Sequence, residues 1–241
     1  MSGRVSYYGT IIRDGLVFDF DAAKPFSYPG SGTQWNDLNG SGNYATLTSG
    51  PTFSKDAGGC IVLNGSTSYI PTNVTTNYSV FTVSAWVKPS VGVSVDAGYI
   101  LNKNSYWATT TNSWPTAFGV NQDGKSAIFF VNNGTCYSLA CGASVTGATT
   151  LNGWNHIVGT YDMVNIKFYV NGVLTDSKPF TSAPPSTAFA WTIGRSASQF
   201  SGGVGGTFYK GSVNNVMLYN RALSASEILQ NYNSAKSRFG L

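Results

Sequence analysis

The stretch Phe81-Thr-Val-Ser-Ala-Trp-Val-Lys-Pro89 sets the fold class. Phe81, Val83, Ala85 and Val87 take one side of an extended chain, and Thr82, Ser84, Trp86 and Lys88 take the other. A hydrophobic period of two marks a β-strand lying over a core. Pro89 has no amide hydrogen to give a ladder and closes the strand. The alternation returns downstream, where Ile166, Phe168 and Val170 interleave with Lys167, Tyr169 and Asn171. Asn171-Gly172 then suits the two positive φ angles of a type I′ hairpin turn, and Val173-Leu174 starts the return strand. Working outward, further strands are expected at 15–20, 44–48, 60–64, 98–103, 116–121, 126–132, 154–161, 188–194 and 207–219. Clusters of Gly, Asn, Pro and Ser separate them, the spacing of an all-β sandwich or barrel. One helix stands apart. Ser224-Ala-Ser-Glu227 has the capping-box spacing, and Ile228, Leu229 and Tyr232 follow on one face. A short C-terminal helix over 225–235, docked on the sandwich, is the expectation, with Lys236 and Arg238 near the end that favours cations.

Composition agrees and excludes much. The 241 residues suffice for one large core without metal or disulfide staples. Charged residues are only 10%, while Gly (28), Tyr (14) and Phe (14) are abundant, which disfavours a helical bundle. No apolar run approaches the length of a membrane span. The only glutamate is Glu227 and the only histidine is His156, so a multi-histidine zinc site and a two-glutamate mechanism are both impossible. The net charge of +4 comes from scattered basic residues, and no nucleic-acid or membrane partner is expected. Residues 1–20 lack the apolar run of a signal peptide. Of three cysteines, Cys60 begins an apolar run and is expected buried and reduced. Cys136 and Cys141 either pair across a hairpin or stay thiols.

Longer motifs carry a resemblance. They are Gly15-Leu-Val-Phe-Asp-Phe-Asp-Ala-Ala-Lys-Pro25, Ile61-Val-Leu-Asn-Gly65, the strand at 81–89, Trp154-Asn-His-Ile-Val-Gly-Thr-Tyr-Asp162 and the closing run from Gly211 to Ile228. With these the chain resembles the concanavalin A-like lectin/glucanase superfamily in its laminin-G-like branch, over about residues 15–235. The resemblance implies a jelly-roll of two packed antiparallel sheets spanning 15–241, preceded by an extended arm at 1–14. Residues 15–53 and the ending Asn231-Tyr-Asn…Arg238-Phe-Gly-Leu241 resemble the copies in tailed-phage and cyanophage virion proteins.

Several residues invite a chemical reading. Asp19 and Asp21 lie two apart on a strand and share a face. Paired carboxylates can hydrolyse glycosides, but the glucanase members carry a Glu-x-Asp-x-x-Glu-like strand that this chain lacks. The bland alternative is that Asp21 binds backbone amides at a turn. Some members of the family bind calcium through an acid near the first strand and another near the last. Here the late positions are the neutral Asn214 and Asn215, which suit calcium poorly. No metal, cofactor or catalytic residue is therefore expected. His156 has no nucleophile elbow near it and reads as structural, and Gly202-Gly-Val-Gly-Gly206 reads as a loop. Asn104, Tyr106, Trp107, Asn112 and Trp114 fall between strands, and rings with amides suit a glycan, a protein contact or a loop folded on its own sandwich. Val5, Tyr7, Tyr8, Ile11 and Ile12 make the N-terminal arm too apolar for a solvated tail, so it reads as a docking arm, with pairing inside its own sandwich as the alternative.

These readings point first to a non-enzymatic phage virion protein, a capsid decoration or cement component. It would be assembled in host cytoplasm, bound to other virion proteins and self-associated as a homo-oligomer. The alternative is a carbohydrate-binding, tail-associated adhesin recognising host surface polysaccharide. A degraded glycoside hydrolase is a distant third.

Overall fold

A computed structural model of the chain describes residues 10–90, 98–103, 116–121, 124–135, 142–150, 152–195 and 208–241. Two antiparallel sheets pack face to face among them. The larger runs β14 (Val173–Pro179), β13 (Asn165–Val170), β12 (Asn155–Tyr161), β7 (Phe81–Pro89), β16 (Lys210–Tyr219), β5 (Cys60–Asn64) and β4 (Thr52–Ser54). The first half of β16 pairs with β5, and its second half pairs with β1 (Leu16–Asp21). The smaller sheet runs β11 (Gly142–Ala148), β10 (Ser126–Asn132), β9 (Thr116–Val120), β8 (Gly98–Lys103), β15 (Thr192–Ile193) and β6 (Ile70–Pro71). A ribbon of β2 (Gln34–Asn36) and β3 (Tyr44–Thr46) lies beside them. This is the expected jelly-roll sandwich. Among the described residues no helix is long and apolar enough to cross a membrane.

The inward-facing residues of β7 enter the core as the alternation predicts. Phe81 meets Phe129 and Trp191 edge-on, each at 5.9 Å between centroids, a favoured aromatic geometry. The hairpin is as expected, with φ of 51° at Asn171 and 80° at Gly172. Cys60 is buried and free, and burial pushes its thiol pKa up. Two sequence readings need correction. The expected strand at 188–194 shrinks to Thr192–Ile193, because the preceding chain bonds to the 72–77 loop, with the Trp191 amide on the Val74 carbonyl. The strand Gly142–Ala148 escaped notice because its small residues carry little hydrophobic alternation.

The larger sheet is covered on both faces. Thr82, Ser84 and Trp86, on the polar side of β7, are buried. The cover is a third layer made by helix α1 (Ala225–Ala235), the 3-10 turn Lys236–Phe239 and the segment 10–13. The capping box is present: the Glu227 amide donates to Ser224 Oγ, and the Ser224 amide donates to Glu227 Oε2. The helix face differs from the expected one. Ile228 and Asn231 are buried, whereas Leu229 is 45% exposed. Asn231 belongs inside because its Oδ1 accepts the Ile12 amide at 2.8 Å and its Nδ2 donates to the Tyr219 hydroxyl at 3.1 Å. Ile11 and Ile12 pack on the cluster of Leu16, Val158, Tyr169, Met217, Tyr219, Leu223 and Ile228. These two arm residues are therefore part of the chain's own domain. Val5, Tyr7 and Tyr8 lie outside the described residues.

Gly159 on β12 lets the core close. A Cβ there would lie 2.4 Å from the Phe129 ring. Gly159→Ala is expected to destabilise the fold by about 1–3 kcal/mol through overpacking. A lowered urea midpoint with an unchanged slope is the measurement that checks it.

Candidate functional site

On β1, Phe18 and Phe20 point into the sandwich, and Asp19 and Asp21 share the opposite face. Their surroundings differ. The Ala23 amide donates to Asp21 Oδ1 at 2.9 Å and closes the turn after the strand, as the turn-binding reading of Asp21 anticipates. Arg238 Nη1 donates to both Asp21 oxygens, at 2.8 and 2.9 Å, and to Asn214 Oδ1 at 3.0 Å. A register shift in β16 between Val213 and Asn215 re-aims Asn214 toward this cluster. Its Nδ2 donates to the Ala57 and Gly59 carbonyls. A guanidinium thus stands beside the first-strand acid, the position where the resemblance puts calcium in some relatives. Among the described residues no three His, Cys, Asp or Glu side chains gather as a metal site would need.

Asp19 is 5% exposed, and Asn215 Nδ2 donates to its Oδ1 at 2.6 Å. Burial pushes its carboxyl up to about 6, helped by the charges of Asp21 and Asp37 and opposed by Asn215 and Arg13. The carboxyl borders a cavity of about 360 Å³. The segment 10–13 forms one wall with Thr10, Ile11 and Arg13, and the C-terminal layer forms another with Asn231, Ser234, Ala235 and Arg238. Trp86, Asn215 and Met217 lie on the sheet side, and Lys24 stands on the turn after β1. Fixed polar groups meeting apolar surface in a concave site make a small-molecule binding geometry.

The other chemical candidates resolve differently. His156 Nε2 lies 2.9 Å from Ser84 Oγ, but both residues are buried and the ring stacks on Trp86 at 4.9 Å between centroids. Burial lowers the His156 pKa to about 3 and keeps the imidazole neutral. Its Nδ1 has no hydrogen-bond partner, so no acid orients a Ser–His pair. The structural reading of His156 fits this geometry. Asn104, Tyr106, Trp107, Asn112 and Trp114 lie outside the described residues, as do Cys136, Cys141 and Gly202–Gly206. Sequence reasoning found Asp19, Asp21, Asn214 and Asn215 but not Arg13, Lys24 and Arg238 as their companions.

The family model described as the concanavalin A-like lectin/glucanases superfamily matches residues 64–229. The chain belongs to this superfamily. Solved structures extend the likeness. The receptor-binding domain of botulinum neurotoxin type G superposes with a TM-score of 0.64 at 16% identity, over 91% of this chain and 51% of that one. The botulinum neurotoxin DC binding domain in complex with rat synaptotagmin II gives 0.66 at 14%, over 93% and 52%. The same domain in complex with SialylT gives 0.66 at 12%, over 92% and 52%. At these identities the likeness is one of fold, and the chain spans about half the length of the structures it matches. No curated protein matches the sequence. As a member of the superfamily the chain is a lectin-type domain.

The two pKa values of Asp19 set a pH dependence. Its folded value, about 6, exceeds the ordinary 3.8. Its contribution therefore favours folding below pH 4 and is lost as pH rises through 6. Asp19→Asn removes the buried charge and leaves an acceptor for Asn215. The variant is expected to be more stable than the parent at pH 7.5, by up to about 3 kcal/mol. The difference should vanish near pH 4. Urea unfolding of both proteins at pH 4, 5.5 and 7.5 checks the sign and the window.

Proposed function

We propose that this chain is a non-enzymatic binding domain that takes a saccharide in the cleft over Asp19. The observation that carries the reading is the cleft itself, where Asp19 and Asn215 converge beside Trp86, Met217 and Ile11. A sugar presents C–H faces and hydroxyl edges together, and such a lining answers both. The cavity is at the small end of ligand sites, roughly 300–1,000 Å³, which favours a terminal unit over a long chain. The neurotoxin DC binding domain, about half of which shares this fold, is described in complex with SialylT, which supports the reading. Hydrolysis is disfavoured because a two-carboxylate mechanism needs two available acids, and Asp21 is held by Arg238.

Attachment to a phage particle is a further proposal, resting on the resemblance at 15–53 and 231–241. The exposed side chains of Phe26 (92%), Val173 (64%) and Leu174 (49%) favour a protein-facing contact of that kind, with particle proteins or with further copies of the chain.

Ser234 lines the cleft, and Ser234→Trp would fill it. A glycan array followed by calorimetry should find a bound sugar class. Ser234→Trp should abolish that binding while the melting temperature stays within a few degrees. Prolonged incubation with the bound glycan should release no new reducing ends. A wild-type protein that binds no glycan, or binding indifferent to Ser234→Trp, would sink the reading.

A further inference from the structure

Five charged side chains border the cleft: Arg13, Lys24 and Arg238 against Asp19 and Asp21. Arg238 and Asp21 neutralise each other as an ion pair at 2.8 Å. That leaves Arg13 and Lys24 against Asp19 alone. Both are exposed, and neither has an ion-pair partner among the described residues. Two exposed cations thus border one cavity. The main chain that carries each is held by hydrogen bonds. The Leu16 amide donates to the Arg13 carbonyl at 3.1 Å, and the Ser27 and Tyr28 amides donate to the Lys24 carbonyl at 2.8 and 2.9 Å. The two cations come from opposite flanks of β1 and stand over one opening.

We propose that the cleft selects an acidic saccharide, a pyranose carrying a carboxylate, through Arg13 and Lys24. This rests on the saccharide reading above and deepens it. A guanidinium matches a carboxylate as a fork, and a charge-assisted hydrogen bond is roughly twice as strong as a neutral one. Both cations are exposed, so salt screens that attraction and the preference should be strongest at low ionic strength. The ring of the sugar then lies against Met217, Ile11 and the edge of Trp86.

Asp19 discriminates within the same site. The titratable and charged groups facing it are Asp21 on its own strand, Asp37 from the following loop, Arg13 from the N-terminal segment and Tyr219 on β16, while Asn215 on β16 bonds it. Lys24 and Arg238 line the same cleft. As a carboxylate Asp19 repels an anionic ligand, and as a neutral acid it can donate to one. Its carboxyl changes state near pH 6, whereas a ligand carboxylate stays ionised across that range. Affinity for an acidic sugar should therefore rise as pH falls. Affinity for a neutral sugar whose hydroxyl donates to Asp19 should fall.

The test uses the full chain and four probes: a sialylated trisaccharide, a uronic-acid disaccharide and the neutral counterpart of each. Kd is measured by calorimetry at pH 7.5 and 5.5. At least one acidic probe should bind about tenfold tighter than its neutral counterpart, and which one does so names the source of the carboxylate. Arg13→Ala and Lys24→Ala should each weaken it by about tenfold, the scale of one charge-assisted bond. Lowering the pH should tighten the wild type by about threefold or more. Asp19→Asn should bind tightly at both pH values. Equal binding of neutral and acidic probes that is lost in Ser234→Trp would overturn the acidic-sugar inference and leave the cleft reading standing. So would an acidic preference unaffected by Arg13→Ala and Lys24→Ala. No binding of any probe by the wild type would remove both.

Discussion

Arg238 ties the end of the chain to its first strand. Its guanidinium lies on Asp21 and Asn214, 217 and 24 positions away, and the next residue, Phe239, stacks on Trp86 at 3.8 Å between centroids. Ion pair and ring stack together press the C-terminal layer onto the larger sheet. Phe239, His156 and Tyr232 each stack on Trp86. The cleft lies where this layer meets the segment 10–13 over β1 and β16: Asn231 bonds the Ile12 amide and Gln230 the Thr10 carbonyl, and Ile11 and Arg13 line the cleft together with Ser234, Ala235 and Arg238. A contact of such sequence separation carries a large loop-closure cost, which the rest of the folded chain must offset.

Covering that face has a cost that the polar residues beneath it answer one by one. A buried hydroxyl without a partner is expensive. Thr82 Oγ1 donates to the Arg221 carbonyl at 2.8 Å and accepts the Leu223 amide at 2.9 Å. Ser84 bonds His156. The Tyr219 hydroxyl donates to the Ile12 carbonyl and accepts from Asn231. These bonds stitch the N-terminal segment, the last strand and the helix together. His156 Nδ1 is among the buried atoms left without a partner, tolerated because the ring stays neutral.

Local signals in the sequence were legible where one residue's chemistry decides a local shape. The alternation at 81–89, the Asn171-Gly172 turn and the Ser224/Glu227 box are of this kind. The helix fixed by that box was legible, but its buried face was not. Leu229 reads as apolar and Asn231 as polar, yet Asn231 is inside, because its partners come from Ile12 and Tyr219. The burial of Thr82, Ser84 and Trp86 on the polar side of β7 was not legible, because alternation carries no information about a third layer. Asp19 and Asp21 were legible as neighbours on one face. Arg238 as their companion was not, since spacing along a chain says nothing about two side chains 217 positions apart.

The contrast between Asp19 and Asp21 bears most directly on function. Two acids on one strand, two residues apart and facing the same way, would carry hydrolytic chemistry if both were available and their protonation states were held apart. Here the environments do differ, but in a way that removes one acid from the chemistry. Asp21 is held at both oxygens by Arg238 and serves the turn at Ala23. Both acids border the cavity, but Asp19 has no ion-pair partner among the described residues, its charge opposed by burial and softened by Asn215. One strand acid with a movable proton, set beside Arg13 and Lys24, which have no ion-pair partner among the described residues, favours the proposed recognition over a two-carboxylate hydrolysis. Such an acid responds to whether the group placed beside it is anionic.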